Sequence, residues 1–327
     1  MPRHISLGQA RDLLLTRESL ERNRWKEREI AKGLAEGTLR RVQRNRYVLG
    51  ADWDALWPES RHRVEVQAAF AEMRGGDAVA SHESAGVVWN LPLYRHSPAA
   101  VHVTIPDGKH VSSRAGLVRH SDALPPEDVT TRLGIRTTTL ERTVFDLART
   151  LGFEAAVAVA DAALRQIAFI DGAYDVDLAD DWRARMLERA ARGAGSRGVR
   201  QAIEVILFAD GRSESPAESV ARLQLMRLGF ERIGLQVAVL GPRGERWRVD
   251  LELEDAAVLL EIDGVGKYQD EKLRSGRSVE QVILDEKRRE DWIRGTTQKR
   301  LVRVEEKDIA TADALGRRLA AFGIRLS

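Results

Sequence analysis

The stretch WRVDLELEDAAVLLEIDGVGK, residues 247–267, limits the possible folds of this chain more than any other. Polar and apolar residues alternate from Arg248 to Leu253, Glu254 and Asp255 interrupt, and an apolar run from Ala256 to Leu260 leads into Glu261, Asp263 and Gly264. Period-two alternation predicts a half-buried strand, and a short apolar run after turn residues predicts a central strand covered on both faces. The two are expected to pair antiparallel, which brings Asp250 to the rim where Glu261 and Asp263 emerge. Side chains two apart on a strand share a face, and two carboxylates so close need a compensating cation. Mg²⁺ (or Mn²⁺) suits such oxygen ligands. The plainer reading is a strand end meeting solvent, where acids are common. Against it stands the apolar run just before the acids, because burying charge without a partner is costly.

The chain of 327 residues has room for two or three domains, each with a core of its own. No apolar run reaches membrane-spanning length, so no membrane partner is expected. MPRHISLGQARDLLL lacks the apolar centre of a secretory signal and the chain has no cysteine, so a cytoplasmic location is expected. The net charge of +2 is too small to argue for nucleic acid by itself, and any such argument must come from local clusters.

One cluster lies near the start. Helices are expected from Leu7 to Leu15 and, after a cap at Thr16, on to Glu36, with Gly37 as the stop. TLRRVQRNRYVLG then alternates around Arg44-Asn45 as a small hairpin, and helices followed by a basic hairpin describe a winged helix-turn-helix. Residues 17–46 hold ten Arg and Lys against five Glu, a local balance of +5, with Arg40, Arg41, Arg44 and Arg46 on the hairpin. That is a footprint for DNA phosphates. A solvated helix face is the bland alternative, since Glu18–Arg22 sits at pairing distance with or without DNA.

From Arg61 to Arg165 a mixed pattern follows: a helix at Arg61–Met73, a strand entering a helix in GGDAVASHESAGVVWNLP, strands in AAVHVTIP and GLVRHS, then strand and helix in IRTTTLERTVFDLA. The order of basic hairpin, SHESAGVVWNLP, VHVTIP and GIRTTTLERTVFDLA resembles the AbiEi-type antitoxins of bacterial type IV toxin–antitoxin systems. The resemblance covers about the first half of the chain. It implies a winged helix joined to a mixed α/β domain, a DNA-binding autoregulator, and a nucleotidyltransferase toxin as partner. His82, His102, His110 and His120 lack ligand spacing such as H-x₃-H. Ser81 is expected to cap the next helix, and His102 to point outward from an alternating strand, so no chemistry is assigned here.

Alanine-rich helices, Phe153–Arg165 and Asp181–Arg192, and a break at GAGSRG read as a connector, and DGRSESPAES marks a boundary. The order after it is helix Pro216–Leu228, strands Arg232–Leu240, Trp247–Leu253 and Ala256–Asp263, helix Ser278–Arg294 stopped by Gly295, and strand Lys299–Val304. This αβββαβ order, with SPAES, RVDLEL, LLEIDGVGKY and DEKRREDWIRG, resembles the PD-(D/E)XK nucleases akin to very-short-patch repair endonucleases. By that resemblance Asp250 and Glu261 hold the metal and Glu218 adds an acid. Asp263 occupies the place of the motif lysine, leaving Lys267, or else Lys287 on the following helix, to activate water. Arg288 and Arg289, beside Lys287, are expected on backbone phosphate.

The expected fold is therefore an α/β and α+β multidomain chain: a winged helix over 1–50, a mixed α/β domain over 51–170, a helical connector over 171–212 and a restriction-endonuclease-like domain over 213–327. Two functions follow. One is a Mg²⁺-dependent DNA endonuclease with a DNA-binding N-terminal region, serving phage defence; the other is a non-catalytic transcriptional regulator or antitoxin.

Overall fold

A computed structural model describes residues 3–73, 77–106, 113, 115–263 and 279–325. They form a mixed α/β chain of helices and several sheets. In chain order the elements are α1 (Leu7–Asp12), β1 (Leu15–Thr16), α2 (Arg17–Arg22), α3 (Glu27–Glu36), β2 (Leu39–Gln43), β3 (Arg46–Leu49), α4 (Gly50–Asp54), α5 (Pro58–Glu72), β4 (Val79–Ala80), α6 (His82–Val88), β5 (Val101–Thr104), β6 (Leu117–His120), β7 (Val129–Arg132), β8 (Ile135–Thr138), α7 (Leu140–Thr150), α8 (Phe153–Ala168), β9 (Phe169–Ile170), β10 (Ala173–Tyr174), α9 (Val176–Arg192), α10 (Val199–Phe208), α11 (Pro216–Arg227), β11 (Ile233–Leu240), β12 (Arg246–Leu253), β13 (Val258–Asp263), α12 (Val279–Thr297), β14 (Arg300–Glu305) and α13 (Ala312–Ala321). Among the described residues no helix is long and apolar enough to cross a membrane.

Two compact units emerge, and neither is continuous in sequence: residues 1–159 with 183–207, and residues 160–182 with 208–327. The segment expected as a connector is thus shared between them.

The first unit begins with α1, whose N-cap Ser6 exchanges side-chain bonds with Gln9 in a capping box. Thr16 caps α2, as its position before a helical run predicts. The helix expected to continue to Glu36 is broken instead, because Arg24 takes a left-handed φ of 66° between α2 and α3. Gly37 ends α3 at φ 76°, where glycine escapes the Cβ clash. β1, β3 and β2 form a three-stranded sheet in that order, and the β2–β3 hairpin turns at Arg44-Asn45. Leu20, Ile30, Leu39 and Tyr47 make one small core, and Ile5, Ala10, Val48, Trp53, Leu56 and Val64 make another.

A second sheet in the same unit has the order β6-β5-β4-β8-β7. Buried Arg63 on α5 donates to the carbonyls of Ile5 (2.7 Å) and Val87 (3.3 Å) and to Asn90 Oδ1 (2.6 Å), satisfying a charge that burial alone would penalise. Asp128 is gripped by Arg142 (3.2 Å) and Arg189 (2.6 Å), which fixes α7 and the C-terminal part of α9 around one carboxylate.

In the second unit β11, β12, β13 and β14 lie side by side, β11–β12 and β12–β13 antiparallel and β13–β14 parallel, with α12 as the crossover. The αβββαβ order read from the sequence is the observed order of elements. β13 is interior and its residues Val258–Ile262 are buried, as the apolar run requires. Gly295 does not stop α12, which continues to Thr297; Gln298 takes the left-handed turn at φ 55° instead. A further helix at Ala312–Ala321 is capped by Thr311, which accepts from Ala314 N at 3.1 Å.

Candidate functional sites

The basic hairpin presents Arg40, Arg41 and Arg44 to solvent, while Arg46 is half-buried. The Arg40 guanidinium lies 5.1 Å from the Trp53 ring centre. Other cations of the cluster are already paired on their own helices: Arg17 with Glu21 (3.0 Å), Arg22 with Glu18 (4.0 Å) and Lys32 with Glu36 (3.7 Å). The bland reading therefore holds for those three. Among the described residues Arg41 and Arg44 make no ion pair, which leaves their charge for an outside anion.

The carboxylates of the second unit sit on β12 and β13, but their partners differ from the expected ones. Asp250 Oδ2 accepts the backbone N–H of Ile262 at 2.8 Å. Glu218 on α11 accepts from Glu214 N (2.9 Å) and from Gln236 Nε2 (2.8 Å). Burial, and after it the negative charge of Asp250, push the Glu218 carboxyl above its usual range. The Asp250 charge is thus felt at Glu218.

Glu261 is held otherwise. Its Oε1 accepts a hydrogen bond from Arg289 of α12, and its Oε2 lies 3.5 Å from Arg303 of β14. Register explains the second contact, since Glu261 pairs directly with Arg303 and Asp263 with Glu305 in the parallel ladder. Arg303 also reaches Asp263 (3.9 Å) and Glu286 (2.6 Å). Burial raises the Glu261 carboxyl, and Arg289 and Arg303 offset part of that rise. Two guanidinium groups of the chain itself therefore lie against Glu261. Among the described residues Asp250, Glu261 and Asp263 do not offer three oxygens within 4.8 Å of one another.

The remaining expected residues separate. Arg289, expected on phosphate, is engaged by Glu261, Glu286 (3.3 Å) and the Arg248 carbonyl (2.7 Å). Arg288 is exposed and 3.7 Å from Asp285, and Lys287 is exposed. Lys267 lies outside the described residues.

What linear reading missed is a histidine cluster in the first unit. β4 runs antiparallel to β5, so Ser81 N bonds the His102 carbonyl (3.1 Å) and His82 starts α6 beside that strand. β5 and β6 pair in parallel with His102 opposite Val118 and Thr104 opposite His120, which puts His102 and His120 on one face. His82, His102 and His120 each offer a ligand atom within 4.8 Å of the others. Ser81 stands at the N-cap of α6 without a side-chain capping bond, contrary to its expected role; its Oγ lies 3.3 Å from His82 Nδ1. Nor does His102 point outward: it is half-buried. Burial, and then the neighbouring imidazoles, hold His82 down at about 2. Burial holds His102 at about 4 against the pull of Glu83, and it lowers His120 as well.

A chain of Glu65, His62 and Ser84 at 3.0 Å and 3.0 Å resembles a nucleophile with its base. Ser84 is fully buried, however, and its Oγ accepts the His102 N–H at 2.8 Å, so the hydroxyl fixes β5 rather than meeting a substrate.

The fold and these sites define a multidomain α/β protein with helices, several sheets and a basic N-terminal hairpin. Residues 85–204 match the family described as AbiEi antitoxin C-terminal domain. Two relatives from Mycobacterium tuberculosis, "Uncharacterized protein Rv2248" of strain ATCC 25618 / H37Rv and "Uncharacterized protein MT2308" of strain CDC 1551 / Oshkosh, are each 31% identical over 202 residues, 61% of this chain and 67% of theirs. The chain belongs to the family of these two mycobacterial proteins. The antitoxin match ends before α11, and so has no bearing on the carboxylates of the second unit.

Proposed function

We propose that this chain is a non-catalytic transcriptional regulator and antitoxin that binds DNA through residues 1–50, folded as a winged helix, and neutralises a nucleotidyltransferase toxin. The observation that carries the reading is the match of residues 85–204 to the AbiEi antitoxin C-terminal domain. Exposed Arg40, Arg41 and Arg44 support it as phosphate contacts, and the arginines around Glu261 support a second unit that binds without hydrolysing. The test is a gel-shift titration with the DNA upstream of the chain's own gene, together with co-expression beside a nucleotidyltransferase toxin. Specific binding lost in Arg40→Ala/Arg41→Ala/Arg44→Ala, and rescue from the toxin, are the expected results. Absence of both overturns the proposal.

A second reading, a metal-dependent endonuclease using Asp250, Glu261, Asp263 and Mg²⁺ or Mn²⁺, draws on the αβββαβ order and on the adjacent acids Glu218 and Asp250. It requires plasmid cleavage that depends on the dication and disappears in Asp250→Ala and in Glu261→Ala. No cleavage in either metal ends it.

A further inference from the structure

We infer that His82, His102 and His120, with Glu83 beside them, bind a transition-metal dication of the zinc class. Three imidazoles from three separate elements converge: His82 opens α6, His102 lies on β5 and His120 ends β6. His102 Nδ1 lies 2.9 Å from His120 Nε2 and 3.3 Å from Glu83 Oε2. Ligands of a tetrahedral zinc ion, bonded at about 2.0–2.1 Å, stand roughly 3.3 Å apart along each edge, so these separations are close to those of ligands sharing one ion.

The donor types fit as well. Three imidazoles, in a chain without cysteine, suit zinc and its neighbours among the first-row metals better than Mg²⁺, which prefers oxygen alone. A surrounding set of bonds orients the ligands: Ser84 Oγ fixes the His102 backbone, and Glu83 Oε1 is held by His96 at 3.2 Å.

Backbone strain gives an independent sign. His82 takes a left-handed φ of 49°, which L residues adopt at a cost, and such residues concentrate where a ligand or a reaction demands the geometry. The 3.8 Å stack of His82 on His120, with planes 17° apart, would by itself be ordinary packing. Stacking of one pair does not account for a third imidazole whose ring nitrogen also lies within 4.8 Å of theirs, nor for a carboxylate 3.3 Å from one of them.

The site braces α6 to β5 and β6. Its role is independent of DNA binding by the hairpin, so failure of one proposal leaves the other standing. The test uses the full chain stripped with EDTA and titrated with Zn²⁺ alone, and in parallel with Co²⁺ as a spectroscopic probe. The expected results are one Zn²⁺ per chain by calorimetry and elemental analysis, a raised unfolding temperature, and the intense visible absorption of four-coordinate Co²⁺. Glu83→Gln should weaken Zn²⁺ about 10–100-fold, and His120→Ala should abolish the Co²⁺ band. His4→Ala, an exposed histidine stacked on Trp57, should bind as the wild type does. Lack of stoichiometric Zn²⁺ in the folded wild type, or an octahedral Co²⁺ spectrum there, overturns the inference whatever the variants do. Full retention of binding in folded His120→Ala, or equal loss in His4→Ala, overturns it too.

Discussion

Replacing Arg289 with methionine tests whether the chain itself supplies the charge that balances Glu261. The substitution keeps an apolar stem of similar length and removes the guanidinium that bonds Glu261 Oε1 and the Arg248 carbonyl. The Glu261 side chain is only 9% exposed, so water cannot replace the lost donor, and Arg303 at 3.5 Å remains as a weaker partner. Breaking a buried ion pair from one side costs about 3–5 kcal/mol, and losing one hydrogen bond to a charged group about 1.5–3. With Arg303 still in place, Arg289→Met should destabilise the second unit by about 2–4 kcal/mol near neutral pH. The Glu261 carboxyl, already raised, rises further without Arg289. A raised folded-state value favours the protonated folded form at low pH, and that benefit is lost as pH rises through the folded value. The deficit of the variant should therefore shrink in acid. Glu261→Gln/Arg289→Met should recover more than half of it, because neither charge is then stranded. Urea unfolding followed by fluorescence of the nearby Trp247 and Trp292 reads both variants against the wild type. A deficit under about 1 kcal/mol for Arg289→Met, or a stabilisation of the wild type by millimolar Mg²⁺ as large as the predicted loss, would refute the reasoning.

Three further outcomes are expected. In metal-stripped protein, His82 at about 2 and His102 at about 4 lie below the 6.5 of the unfolded chain, so stability present above 6.5 should be lost as pH falls towards 4, by up to about 1.4 kcal/mol per pH unit for each ring; denaturation at stepped pH with no slope there would contradict this. Gly50→Ala should destabilise the N-terminal cores by about 1–3 kcal/mol, since the added Cβ would collide with the Gly37 carbonyl oxygen, and an unchanged melting temperature would mean that the α4 junction yields freely. Arg41→Ala/Arg44→Ala should weaken DNA binding across all sequences and reduce the salt slope by about 0.9 for each phosphate no longer neutralised, whereas a change of sequence preference at unchanged slope would assign these arginines to bases.

Local chemistry made much of the secondary structure legible in the sequence. Ser215 before Pro216 caps α11, Thr16 caps α2, and Gly37 and Gly229 end helices at positive φ, all within a few residues of chain. Period-two patterning likewise placed β12, and an apolar run placed β13 and made it interior, because burial on both faces demands apolar residues at every position. The order of strands and helices in the second unit follows from the same short-range rules, as does the basic hairpin.

Partners across the fold lie outside such rules. Two acids sharing a strand face announced that a positive charge was needed, but that guanidinium groups meet Glu261 depended on Arg289, 28 residues away, and on the parallel register that sets Arg303 opposite Glu261. The histidines show the same dependence on distant pairing. His82, His102 and His120 have no ligand spacing in sequence, since a strand reversal and a parallel pairing, not a helical turn, bring them together. Sequence by itself determined which segments are helix or strand and which faces are apolar, since those depend on neighbours a few bonds away. Only the tertiary structure decided which charge meets which, because pairings between distant residues depend on strand order and register.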